Sequence, residues 1–273
     1  MSPVSLQSEI NSVITLFSSD QFQVALDKLT ILTKENPNDS LLHNIAGACY
    51  AGLGQLDAAV KSYEKAIALN SDYAKAHFNL GGTLHELGQL DEAVQSYESS
   101  IAIESDYAEA HNNLGNVLRE LGQMDDAIDS YEKALVIKPN YVEALYSISL
   151  VLQHLGRIES MVDHLEKALT LKPDFAEAHN NLGNIFRELE QLDAAVKSYE
   201  KVTAINPDYP EAHFNLGNTL VELGQLETAI KSYETVIAIN PDYPEAHYNL
   251  GNILIELGQL ENAVKRYDQE IAI

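Results

Sequence analysis

Residues 108–141 read AEAHNNLGNVLRELGQMDDAIDSYEKALVIKPNY, and this stretch decides the fold. Its HNNLGN, beginning at His111, returns as HNNLGN at His179, HFNLGN at His213 and HYNLGN at His247. The last three stand 34 residues apart, and the first two are separated by twice that. His43 and His77 fall on the same lattice. With Ala108 as first position, the repeats span 6–39, 40–73, 74–107, 108–141, 142–175, 176–209, 210–243 and 244–273. Residues 1–273 therefore read as one tandem array.

Each repeat predicts two helices. Ala110, Leu114, Val117, Leu118 and Leu121 follow helical spacing, as do Met124, Ala127, Ile128, Tyr131, Ala134 and Leu135. Gly122 separates them and recurs as Gly54, Gly88, Gly156, Gly224 and Gly258, the residue type a left-handed C-terminal cap favours. Asp208 to Glu211 and Asp242 to Glu245 read Asp-Tyr-Pro-Glu, suggesting an Asp N-cap followed by Pro in the first turn. A second glycine sits mid-way along the first helices, at positions 47, 81, 115, 183, 217 and 251. Glycine there costs about 1 kcal/mol in helix propensity, which implies a steric need. The expected need is close backbone approach to the neighbouring helix, where Ala59, Ala93, Ala127, Ala195, Ala229 and Ala263 supply small partners. Tyr63, Tyr97, Tyr131, Tyr199, Tyr233 and Tyr267 are expected to fill the space between repeats.

These positions resemble the tetratricopeptide repeat, with Leu-Gly, Ala, Tyr and Pro at matching spacing. The resemblance covers almost the whole chain, although the family's frequent Trp is His here. It implies an all-α fold, a right-handed solenoid superhelix of helix-turn-helix units whose first helices line a concave groove. The repeat at 6–39 is degenerate, with Val13 for Gly and Leu29 for Tyr. The internal repeat at 142–175 diverges too, with Ser149 for Gly, Met161 for Ala and Leu165 for Tyr. The last repeat ends inside its second helix, so Ala263, Val264, Tyr267 and Ile271 are expected to leave an apolar edge. That edge suggests a longer protein or head-to-tail self-association.

Composition narrows the function. Acids outnumber bases 41 to 17, a net charge of −24, which excludes a nucleic-acid backbone as partner and disfavours anionic membranes. No apolar run is long enough to insert into a bilayer, and the first residues lack a signal-peptide pattern. One cysteine, Cys49, rules out a disulfide framework. Cytoplasmic residence fits best. Nucleotide loops and hydrolase or zinc-protease motifs are missing, so no enzyme, cofactor or metal is expected. The His lattice would place neighbouring rings about 10 Å apart, too far for one ion, and is assigned to packing.

The chemistry lies in a polar stripe on the first helices. Asn79, Asn113, Asn181, Asn215 and Asn249 form one ladder; Asn116, Asn184, Asn218 and Asn252 form a second, one turn on. Asn is a poor helix former, so its recurrence needs a reason. An Asn amide offers both donor and acceptor and can pair with any peptide bond, so the ladders are candidates to hold an extended chain. The alternative is structural, with each Asn bridging helices. Phe78, Phe214 and Tyr248 are candidate apolar contacts beside the ladders. Glu86, Glu120, Glu188, Glu222 and Glu256 border the stripe and favour a basic or neutral ligand. Arg119 and Arg187 stand beside the ladder and are candidates to pair with these acids.

The run Ala-His-Asn-Asn-Leu-Gly-Asn, at Ala110 to Asn116 and Ala178 to Asn184, resembles the repeats of O-linked N-acetylglucosamine transferases. In that family an asparagine ladder contacts the peptide backbone of protein substrates, and the resemblance carries that role onto the first ladder. Ile45 and Ser147 interrupt it, and no transferase domain is present to carry the catalysis over. The carboxylate clamp of chaperone-binding repeats is missing, because Glu109, Glu143, Glu177, Glu211 and Glu245 occupy the position a basic residue would need. The reading is a non-catalytic scaffold for an extended peptide. Alternatives are the substrate-recruiting arm of a larger transferase, or a self-assembling scaffold joined through terminal repeats.

Overall fold

The computed structural model describes residues 3–272, with side chains described for 6–266. Among them are sixteen α-helices in eight consecutive pairs. The first four pairs are α1 (Pro3–Ser18) with α2 (Phe22–Glu35), α3 (Ser40–Gly52) with α4 (Leu56–Leu69), α5 (Ala74–Glu86) with α6 (Leu90–Ile103), and α7 (Ala108–Glu120) with α8 (Met124–Ile137). Then come α9 (Val142–His154) with α10 (Ile158–Leu171), α11 (Ala176–Glu188) with α12 (Leu192–Ile205), α13 (Pro210–Glu222) with α14 (Leu226–Ile239), and α15 (Pro244–Glu256) with α16 (Leu260–Ala272). The chain is thus an all-α array of helix-turn-helix repeats. It forms two compact segments, one up to Val151 and one from Leu152, divided within α9. No described helix is long and apolar enough to cross a membrane.

Inside each segment a helix packs on its pair-mate and on the next pair. The recurring second-helix alanines, Ala59, Ala93, Ala127, Ala195 and Ala229, are completely buried. In the second segment they join Leu216, Leu220, Leu250 and Leu254 in one core. In the first, Ile10, Val13, Leu26 and Leu29 pack with Leu42 and Cys49, so the degenerate repeat still shares a core with the next. The expected C-terminal edge is partly visible. Leu260 and Val264 are 62% and 57% exposed, Ala263 is buried, and the side chains of Tyr267 and Ile271 lie outside the described residues.

The separating glycines behave as expected: all six adopt φ between 67° and 77°. In the repeat at 176–209 that position is Glu190, which holds φ 58° without glycine's freedom.

Two local expectations need correction. Asp208 and Asp242 are not the caps of α13 and α15. Tyr209 and Tyr243 are, with no side-chain cap bond, and Pro210 and Pro244 open the helices. The structure also changes the reason for the mid-helix glycines. A Cβ on Gly47, Gly115, Gly183 or Gly217 would stand 2.6–2.8 Å from the ring of Tyr63, Tyr131, Tyr199 or Tyr233 respectively. The need is room for a tyrosine ring within the same repeat, not approach of two backbones. It also explains the degenerate N-terminal repeat, where Val13 replaces Gly and Leu29 replaces Tyr sixteen residues on. The sequence positions 149 and 165 are exchanged together in the same sense, to Ser and Leu.

Candidate functional site

The lattice histidines are built into the scaffold. His43, His77, His111, His179, His213 and His247 each place Nε2 2.9–3.1 Å from the carbonyl oxygen six residues earlier, in the preceding loop. The ring closes the inter-repeat turn by donating Nε2–H to that carbonyl.

The second asparagine ladder is anchored from beneath. Tyr131, Tyr199 and Tyr233 donate their hydroxyls to Oδ1 of Asn116, Asn184 and Asn218 at 2.8, 2.7 and 2.7 Å. Burial pushes Tyr199 and Tyr233 up to about 12 and raises Tyr131, so these hydroxyls keep their protons at neutral pH. With Oδ1 turned to the tyrosine, the amide Nδ2 of each Asn points away from that bond. Asn252 is exposed on the same face.

The first ladder ties neighbouring repeats. Asn79 Nδ2 donates to Asn44 Oδ1 at 3.0 Å. Tyr97 is hydrogen-bonded to Asn113. Asn249 Nδ2 donates to Asn218 Oδ1 at 2.9 Å. Ser147, an interruption by sequence, makes the equivalent bond to Asn116 Oδ1 at 3.4 Å. Asn181 and Asn215 are half-buried in the same row. Asn44 was not among the sequence candidates. It is one position before Ile45, so a strict repeat frame passes over it.

In the second segment these groups meet in one depression of about 340 Å³. Asn218, Asn249, Asn252 and Tyr233 line it, with Arg187, Glu222 and Glu256 around them. Arg187 donates from Nε and Nη2 to Glu222 Oε1 at 2.8 and 2.6 Å. In the first segment His85 Nε2 lies within hydrogen-bond distance of Glu120 Oε1, at 2.9 Å, and Lys138 pairs with Glu109 at 3.2 Å. On the acidic border, Glu222 is therefore neutralised by Arg187.

The aromatic candidates divide. Phe78 packs against Tyr107 and Tyr97 with ring centroids 4.7 and 5.8 Å away, and Phe214 against Tyr243 and Tyr233 at 5.1 and 5.8 Å. Both are half-buried parts of the wall. Tyr248 is 49% exposed.

Tetratricopeptide-repeat models match residues 47–88, 82–120, 183–224 and 217–254, and further ones match 108–141, 142–175, 164–197 and 244–269. The chain is a tetratricopeptide-repeat protein. Over 86 residues, 28% of its length, it is 30% identical to the peroxisomal targeting signal receptor of Candida glabrata. That stretch covers 15% of the receptor, so the chain corresponds to a small part of this relative. Among solved structures it is similar to YrrB, described as a TPR protein with an unusual peptide-binding site. The match has 26% identity and a TM-score of 0.58, covering 68% of this chain and 96% of that one. The C-terminal part of a TPR protein from Cytophaga hutchinsonii has the same fold, with a TM-score of 0.73, 17% identity and coverage of 88% and 98%.

Proposed function

We propose that this tetratricopeptide-repeat protein is a non-catalytic scaffold that holds an extended peptide against the asparagine-lined face of its first helices. The observation that carries the reading is the oriented pair in the second segment. Asn218 Oδ1 accepts from both Tyr233 and Asn249, which leaves Asn218 Nδ2 as donor and Asn249 Oδ1 as acceptor beside the same depression. A peptide group carries one donor and one acceptor, and this pair complements it without reading a side chain. The rows Asn79, Asn113, Asn181 and Asn215, and Asn116, Asn184 and Asn252, extend the same chemistry. Tyr248 offers apolar area, and Phe78 and Phe214 stiffen the wall. With Glu222 neutralised by Arg187, Glu256 is the acid that favours basic or neutral segments over acidic ones. Similarity to YrrB, whose description includes a peptide-binding site, supports the same reading.

The test compares proteins retained from a source-cell lysate by the wild type and by an Asn113/Asn181/Asn215/Asn249→Ala variant, after matching helicity. Specific partners lost by the variant support the reading; identical retention contradicts it. Exposed Leu260 and Val264 favour a second reading, self-association through the C-terminal repeat. Light scattering over a concentration series tests it, and a strict monomer removes it.

A further inference from the structure

A second groove lies on the other side of the first segment, between α4, α5 and α6, and encloses about 580 Å³. Its floor is apolar, from Val60, Ile67, Leu80 and Leu84, and Glu64 and Glu92 stand on its rim. Neither Lys nor Arg lines it. The asparagine face takes no part in it.

The same groove recurs in the second segment between α14, α15 and α16, with about 490 Å³ and a floor of Ile230, Leu250 and Leu254. There the rim keeps Glu234, the equivalent of Glu64, but carries Asn262, Lys265 and Arg266 where the first groove has Glu92, Gln95 and Ser96. The two grooves share an apolar floor and differ in charge: the first rim carries two Glu with no Lys or Arg, the second one Glu with Lys265 and Arg266. The acidic character continues beyond the first groove. Where α4, α12, α14 and α16 carry Lys61, Lys197, Lys231 and Lys265, α6 has Gln95 and α8 has Asp129. Asp91, Glu92, Glu98, Asp126 and Asp129 are all exposed there.

We propose that the groove of α4–α6 is a second docking site, for a short amphipathic segment of a protein partner that seats apolar side chains on the floor and sets Lys or Arg against Glu64 and Glu92. Shape and apolar floor give contact area, and the one-signed rim selects the partner. Because the site lies apart from the asparagine ladders, a scaffold with both holds two partners at once.

The probe is a fluorescein-labelled amphipathic peptide of Leu and Lys, compared with its Leu and Glu counterpart, by anisotropy on the full chain at physiological salt. The Lys peptide is expected to bind saturably in a way that depends on Glu64 and Glu92, whereas any binding of the Glu peptide belongs to the Lys265 and Arg266 groove and does not depend on them. Glu64→Lys/Glu92→Lys is expected to weaken the Lys peptide about tenfold. Glu227→Lys/Glu261→Lys, which changes net charge equally on other second helices, is expected to leave it within about twofold. Equal loss in both variants, an equal effect of Glu64→Lys/Glu92→Lys on both peptides, or no saturable binding of the Lys peptide overturns the proposal. Matched thermal melts of the variants exclude unfolding as the cause, and an unchanged response in Asn218→Ala/Asn249→Ala separates this site from the asparagine face.

Discussion

The hydroxyl of Tyr199 lies 2.7 Å from Oδ1 of Asn184, fifteen residues earlier, and this bond ties the two helices of one repeat together. It recurs between Tyr131 and Asn116 and between Tyr233 and Asn218. An Asn that is poor for helix propensity is thereby given structural work, and its amide is aimed.

Asn184→Ala leaves a buried hydroxyl without its acceptor and is expected to lower stability by about 1–3 kcal/mol. Tyr199→Phe removes the donor instead and is expected to cost less, near 1 kcal/mol. Denaturant midpoints of the two variants, with unchanged slopes, check the order.

A Cβ on Gly183 would meet the Tyr199 ring at 2.6 Å. Gly183→Ala is expected to destabilise, because crowding of about 1–3 kcal/mol outweighs the roughly 1 kcal/mol gained in helix propensity. Adding Tyr199→Leu reproduces the small-ring-free pattern of Val13 with Leu29. The double variant is therefore expected to lose less than the sum of the single ones, and a thermodynamic cycle measures the coupling.

Glu190 holds φ 58° where six repeats have glycine. Glu190→Gly is expected to raise stability by about 1 kcal/mol by relieving the left-handed backbone of a side chain. Thermal melts with and without the substitution decide it.

Burial pushes Tyr97, Tyr199 and Tyr233 up to about 12, from the ordinary tyrosine value of 10.0. Between pH 10 and 12 the unfolded chain releases these protons while the folded chain keeps them. The unfolded state then binds fewer protons, so stability falls as pH rises through this window and is unaffected below it. Each tyrosine contributes up to about 1.4 kcal/mol per pH unit. Tyr199→Phe is expected to make the alkaline decline shallower by about one tyrosine's share.

The helix pairs and their boundaries were legible because Gly122 and its counterparts, the apolar spacing and the lattice of His111 all repeat every 34 residues. The asparagine rows were legible for the same reason. Which way each amide points was not, since that depends on Tyr131, Tyr199 and Tyr233 reaching across to the other helix. The fifteen-residue offset between Asn116 and Tyr131, repeated at Asn184 and Asn218, was the available signal. Likewise the sixteen-residue offset from Gly47 to Tyr63 held the reason for the mid-helix glycine, and its exchange to Val13 and Leu29 was the clue. Asn44 lay off the frame, and only the bond from Asn79 reveals it. The grooves on the second-helix side combine residues from three helices, which no single-helix pattern shows.

The most direct measurement takes the tightest peptide selected from a random displayed library on the full chain, and compares its affinity before and after N-methylation of alternate backbone amides. Recognition by Asn218, Asn249 and their counterparts predicts a loss of about tenfold or more on methylation, and a similar loss for the unmodified peptide on Asn218→Ala/Asn249→Ala. An affinity untouched by both changes would contradict backbone recognition by the asparagine face.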